Sequence, residues 1–148
     1  MLLGLVFLGI STYIGWQKYA LHTKRVRVLG DFLSFLRFSV GEIENFKTKF
    51  EQVVEKYQFN TKELCAALKN KSTDSLAVLL NAREDQEYND VLTSFFVLNY
   101  GEVIVRVKLA ETKFTEFLDT ERNIGAKNAK LGLKLGVLIG ILSFVLVI

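Results

Sequence analysis

The last eighteen residues, Leu131 to Ile148 (LGLKLGVLIGILSFVLVI), constrain this chain more than any other stretch. They hold one charge, Lys134, and nothing more polar than Ser143 follows it. As a helix rising about 1.5 Å per residue they reach roughly 27 Å, enough for a ~30 Å hydrocarbon layer if the Lys134 ammonium snorkels to the surface. Gly132, Gly136 and Gly140 recur every fourth residue. That spacing puts three positions without side chains on one helix face, where a second helix can approach to backbone contact in lipid. The expectation is a transmembrane helix over residues 131–148, with its carboxylate at the far membrane face.

The other end matches it. Met1 to Trp16 carries no charge, and neither a basic n-region nor a small-residue cleavage site marks it as a removable signal peptide. Tyr13, Trp16 and Tyr19 beside Lys18 read as an interfacial belt, so a retained span is expected over residues 1–17, a cleaved signal peptide being the alternative. Gly4, Gly9, Ser11 and Gly15 supply small residues that can face the glycine ladder of the last span. The expected span-packing set is Gly15 with Gly132, Gly136 and Gly140.

The net charge of +3 hides a split. Between Asp31 and Glu121 lie all sixteen acidic residues and eleven basic ones, a net charge of −5. The remaining basic residues are Lys18, Lys24, Arg25 and Arg27, then Arg122, Lys127, Lys130 and Lys134, just inside the two apolar ends. Juxtamembrane placement accounts for them through the positive-inside tendency and attraction to anionic lipid, and nucleic acid is not expected as a partner. Residues 18–130 are then cytoplasmic, both termini lie outside, and the cell (inner) membrane is the location.

From His22 to Tyr57 the apolar residues Leu29, Phe32, Leu33, Leu36, Val40, Ile43, Phe46, Phe50, Val53, Val54 and Tyr57 recur at spacings of three and four. They predict one long amphipathic helix continuous with the first span, with Asp31 and the other charges mostly off the stripe. Phe38 falls off the stripe too, either packed under another helix or serving as a partner anchor. Asn60 followed by Glu63 predicts a capping box opening a short helix to about Lys69, with Leu64, Cys65 and Leu68 inward. Asp74 is expected to cap a second short helix over 75–82, and a third runs from about Glu87 to Asn99. Asn99-Tyr100-Gly101 then reads as a stop, with Gly101 in the left-handed conformation. Glu102 to Lys108 is rich in β-branched residues, yet Val103, Val107, Ala110, Phe114 and Phe117 keep helical spacing and predict one long helix into the last span. Glu121 extends that stripe by one step, either wet at the membrane edge or paired with Arg25 or Arg27. The fold class expected is all-α: a cytoplasmic bundle of two long and about three short helices between two transmembrane helices.

What the chain lacks narrows its chemistry. A single histidine, His22, allows no His-based metal site or triad, and no phosphate-cradling glycine loop of the Gly-x4-Gly-Lys type occurs. The lone Cys65 reads as a small buried hydrophobe. Glu84, Asp85, Glu87 and Asp90 read as a solvated acidic face. No enzymatic activity, metal, cofactor or small-molecule substrate is expected.

In outline the layout resembles the stage III sporulation protein AB family, itself similar to the inner-membrane platform protein of type II secretion and type IV pilus machines. The stretch Lys130 to Leu142, with its basic residue, Leu-Gly and x-x-x-Gly ending, looks like the family's C-terminus. Arg27, Leu33, Leu36 and Glu42-Ile43 look like its spaced Arg, Leu and Glu-Ile pattern, and Gly15 like its glycine late in the first span. The chain departs from it in having no Pro after Glu-Ile, and in carrying Leu98-Asn99-Tyr100-Gly101-Glu102 and then Arg106 where the family has Leu-Gly-x-x-Asp and a Gln. The resemblance implies a helical platform in the channel apparatus between mother cell and forespore during endospore formation. It further implies docking of a cytoplasmic secretion-type ATPase and contact with other channel membrane proteins; self-association through the glycine faces of the spans is a further candidate partnership. The candidate partner or coupling surface is Phe38, Glu42, Glu102, Arg106 and Glu121. The competing expectation is a pore-forming or holin-like small membrane protein, because two short spans with glycine faces can also oligomerise.

Overall fold

The computed structural model describes residues 2–147. Met1 and Ile148, the outer ends of the two expected spans, lie outside the described residues, as does the expected packing of Gly4. The chain is all-helical, with no strand among the described residues. Helix α1 (Leu2–Phe46) is followed by α2 (Phe50–Lys56), α3 (Lys62–Asn70), a 3-10 turn (Asp74–Leu76), α4 (Ala82–Val97) and α5 (Tyr100–Thr120). A π-helical turn (Glu121–Gly125) joins α5 to α6 (Ala126–Val147). The helices form two compact units, one of Arg25–Asp119 and one made from the described parts of Met1–Lys24 and Thr120–Ile148.

In the larger unit, α1, α4 and α5 supply most of the core and α2 and α3 close it. Phe32 and Phe35 of α1 lie at its centre, both buried. Phe32 meets Phe114 of α5 edge-on at 4.7 Å and Tyr88 of α4 at 5.1 Å, while Phe35 meets Tyr57 edge-on at 5.5 Å. Such offset aromatic pairs contribute beyond their buried area, which is why a core this small uses so many rings. Residues 102–108 are helical, and Val103, Val107, Ala110, Phe114 and Leu118 form the buried stripe of α5. Helical spacing prevails over β-branched composition because that stripe buries apolar surface against α1 and α4.

The long helix predicted through Tyr57 stops eleven residues early. Lys47 adopts the left-handed conformation (φ 51°) and its N–H donates to the Ile43 carbonyl at 3.0 Å. This is the αL cap, made without glycine. The Thr48 hydroxyl adds a bond to the Glu42 carbonyl at 3.2 Å and another to the Glu42 carboxylate at 3.0 Å. Phe46, expected on the buried stripe, is consequently 70% exposed.

Four further boundaries differ from the sequence reading. The N-cap of α3 is Thr61, not Asn60, and no side chain of its own turn caps it. The helix expected over 75–82 does not form: residues 74–76 make a single 3-10 turn and helix resumes only at Ala82. Helix α4 begins at Ala82, because Asn81 and Glu84 make a reciprocal capping box: Asn81 Oδ1 accepts from Glu84 N at 2.9 Å and Glu84 Oε2 accepts from Asn81 N at 2.8 Å. At 99–102 the chain does break, but Asn99 starts α5 with Glu102 as its capping partner, and Gly101 lies inside the helix with no positive φ.

Candidate functional site

The smaller unit is a close helix pair. A Cβ added to Gly15 would lie 3.1 Å from Leu133 Cα, one on Gly136 2.7 Å from the Ser11 carbonyl oxygen, and one on Gly140 3.1 Å from Leu8 Cα. Three of the four glycines of the expected packing set therefore stand where the two backbones meet; Ser11 and Leu8 of α1 face Gly136 and Gly140, and Leu133 of α6 faces Gly15. Gly132 is looser, its nearest neighbour being the Lys18 side chain at 3.7 Å, and Gly9 has nothing within 4 Å. Around this seam the apolar side chains face outward: Ile10, Ile14 and Trp16 on α1 and Leu138, Ile139 and Leu142 on α6 are each at least half exposed. Among the described residues, one stretch is long and apolar enough to cross a membrane, the continuous helix containing α6 within Tyr100–Val145. Such outward greasy surface has a large cost in water and none in hydrocarbon.

At the charged end of this unit sits the π-helical turn. Its extra residue turns Glu121 back over Gly125, whose missing Cβ would lie 2.6 Å from Glu121 Oε1. The His22 Nδ1–H donates to that oxygen at 2.8 Å, and both side chains are mostly buried. Helix insertions of this kind often serve to aim a side chain. His22 was not among the partners expected for Glu121; with 99 residues between them, no local pattern pairs the two.

The larger unit buries charge where the sequence reading expects a wet acidic face. Glu84 is 2% exposed and accepts from Arg25 at 3.0 and 3.3 Å while serving its capping box. Glu87, also buried, accepts from Arg106 at 2.6 Å and from Lys113 at 2.7 Å, and Arg106 reaches toward Asp90 at 3.7 Å. Burial alone would raise the Glu87 pKa; the hydrogen bonds and charges of Arg106 and Lys113 outweigh it and hold the carboxyl below its ordinary value. The Asn81-x-x-Glu84 spacing was the available signal that this polar stretch is helical.

Asp31 is likewise enclosed, at 4% exposure. Its Oδ2 accepts from the backbone N–H groups of Asn60 and Thr61 at 3.1 and 2.9 Å and from the Thr61 hydroxyl at 2.7 Å. Its Oδ1 accepts from the Tyr57 hydroxyl at 3.0 Å and from Asn60 Nδ2 at 3.4 Å. A carboxylate on α1 thus satisfies the donors before α3 that a local cap would otherwise take. Burial, then the bond to Asp31, pushes the Tyr57 phenol up to about 12.

The other candidate partner residues are placed as follows. Phe38 is partly buried against the core, 5.5 Å from the Tyr57 ring. Glu42 accepts from Lys56 at 2.7 Å, and that bond first, with Thr48 also contributing, lowers its pKa against the opposing effect of burial. Glu102 is engaged as a helix cap and Arg106 with Glu87. No cluster of His, Cys, Asp or Glu able to hold a metal occurs among the described residues. Comparison with known protein families, with curated proteins and with solved structures finds no match.

Proposed function

We propose that this chain is a non-enzymatic membrane platform: both terminal helices cross the inner membrane side by side, and the helical unit Arg25–Asp119 is the cytoplasmic module that others grip. The observation that supports it most is the outward apolar surface of the paired terminal helices around glycine-mediated backbone contact, a packing suited to lipid. Lys18, Arg122, Lys127 and Lys130, at the inner ends of both helices, suit anionic headgroups. The resemblance of the sequence pattern to the stage III sporulation protein AB family supports the finer reading. On that reading the partner is a cytoplasmic secretion-type ATPase, with neighbouring channel proteins, on the mother-cell side of the engulfing membrane.

Cysteine labelling tests the topology in intact cells. Single cysteines between residues 30 and 120, in a Cys65→Ser background, are expected to resist a membrane-impermeant maleimide, and one placed at residue 2 to react. Labelling of the middle from outside sinks the platform reading. Co-purification of the ATPase with the full chain tests the partner. Dye release from liposomes by the chain alone would favour the pore-forming alternative instead.

A further inference from the structure

The corner where α1 gives way to α2 opens onto a cavity of about 420 Å³, floored by Ile43, Phe50, Phe95 and Val103 and walled by Phe96 and Tyr100. A second, of about 250 Å³, lies between α2 and α3 against Val54 and Leu68. Phe50 and Glu51 line both, so the two form adjoining seats on one face. Phe96 and Tyr100 remain nearly half exposed, and the Lys71 ammonium lies 4.5 Å over the Phe96 ring while pairing with Glu51 at 2.9 Å.

The charges around these seats are uneven. Lys49 lines the first, Lys69 the second, and Lys47 stands at the corner between helices; among the described residues none of the three lies within salt-bridge distance of an acid, although the Lys49 charge acts through space on Glu51, which Lys71 already holds. Glu55, beside the second seat, is the one unpaired acid lining either. These lysines stand out in a segment whose net charge is −5. Two adjoining apolar seats match the neighbouring anchors on one face of an amphipathic helix, and unpaired cations on the rim favour an acidic edge beside them.

We infer that this face docks an acidic amphipathic helix of a partner protein, with two adjacent apolar anchors entering the paired cavities and carboxylates meeting Lys47, Lys49 and Lys69. A second copy of this chain, meeting the same face about a twofold axis, would bring those lysines against themselves, which disfavours it. The inference deepens the platform reading by naming where its module is gripped.

The test uses the full chain in nanodiscs and a synthetic 20-residue helix carrying one leucine and one phenylalanine anchor at i and i+4 with a glutamate edge. A counterpart with a lysine edge is the control, and fluorescence anisotropy is the readout. The glutamate peptide is expected to bind about tenfold tighter or more than the lysine peptide, with affinity falling as salt rises. Lys49→Glu with Lys69→Glu is expected to reverse that preference, and Phe96→Ala to weaken both peptides. Lys49→Ala with Lys69→Ala stands in if the charge reversal unfolds the unit. Equal binding of the two peptides, no binding up to about 1 mM, or indifference to the lysine substitutions overturns the inference. So does a Phe96-dependent dimer seen by sedimentation with no peptide bound, which would assign the face to self-association. Failure here leaves the cysteine-labelling result untouched, so the site and the membrane topology stand or fall separately.

Discussion

Replacing Asp31 by alanine removes the acceptor for five donors at once. Two are backbone N–H groups, at Asn60 and Thr61, and three are side-chain groups of Tyr57, Asn60 and Thr61. Hydrogen bonds to a charged group contribute about 1.5–3 kcal/mol each in isolation, but these share one carboxylate and are not additive. Thr61 and Asn60 are partly exposed, so water recovers some of the lost bonding. The donors nearest the buried carboxylate do not regain it, and the side chain leaves a void behind. A loss of about 3 kcal/mol is expected, against the 5–15 kcal/mol typical of a whole domain. For a unit of this size that lowers Tm by ~12–24 °C. Asp31→Asn keeps one acceptor oxygen in place and is expected to lose roughly half as much. The assay is far-ultraviolet circular dichroism of the full chain in detergent micelles, through urea and thermal unfolding. An Asp31→Ala chain within about 0.5 kcal/mol of the parent would refute the clasp, since only a solvated surface carboxylate is removed that cheaply.

Glu87→Gln is expected to cost about 1–2 kcal/mol at pH 7. Because the folded pKa of Glu87 lies below its ordinary value, its contribution is present above pH ~4.5 and lost as pH falls through the folded value. The gap between parent and variant in urea should therefore narrow progressively as pH is taken below ~4.5, and a gap that does not change with pH counts against the pairing. Tyr57 behaves oppositely at the alkaline end: with its pKa raised to about 12, its contribution is intact below pH ~10 and falls between pH 10 and 12. Tyr57→Phe should flatten that alkaline loss in a Tm-against-pH series. Gly136→Leu or Gly140→Leu should separate the terminal helices, since even a single added carbon would lie 2.7 Å from Ser11 in either case. Cross-linking between cysteines placed in residues 5–10 and 137–142 is expected to fall severalfold, and unchanged yield would show the seam to be dispensable.

Periodicity and composition alone determined that this chain is helical, that its ends are the greasy segments, and that Val103, Val107, Ala110 and Phe114 face a core. They did so because one-faced burial leaves a period of 3.6 in any sequence that achieves it. The glycine spacing marked Gly136 and Gly140, and the small residues of the first span marked Gly15, before any geometry was known, since an absent side chain is visible as a letter. The end of α1 at Phe46 was hidden, because Lys47 takes a backbone conformation that its letter does not advertise and Thr48 reinforces it. Asp31 read only as a charge off the apolar stripe, and Glu84 and Glu87 as solvated, for a different reason. Their partners Thr61, Arg25 and Arg106 lie 30, 59 and 19 residues away. A carboxylate looks the same in sequence whether water or a distant donor satisfies it, and only the folded chain decides which.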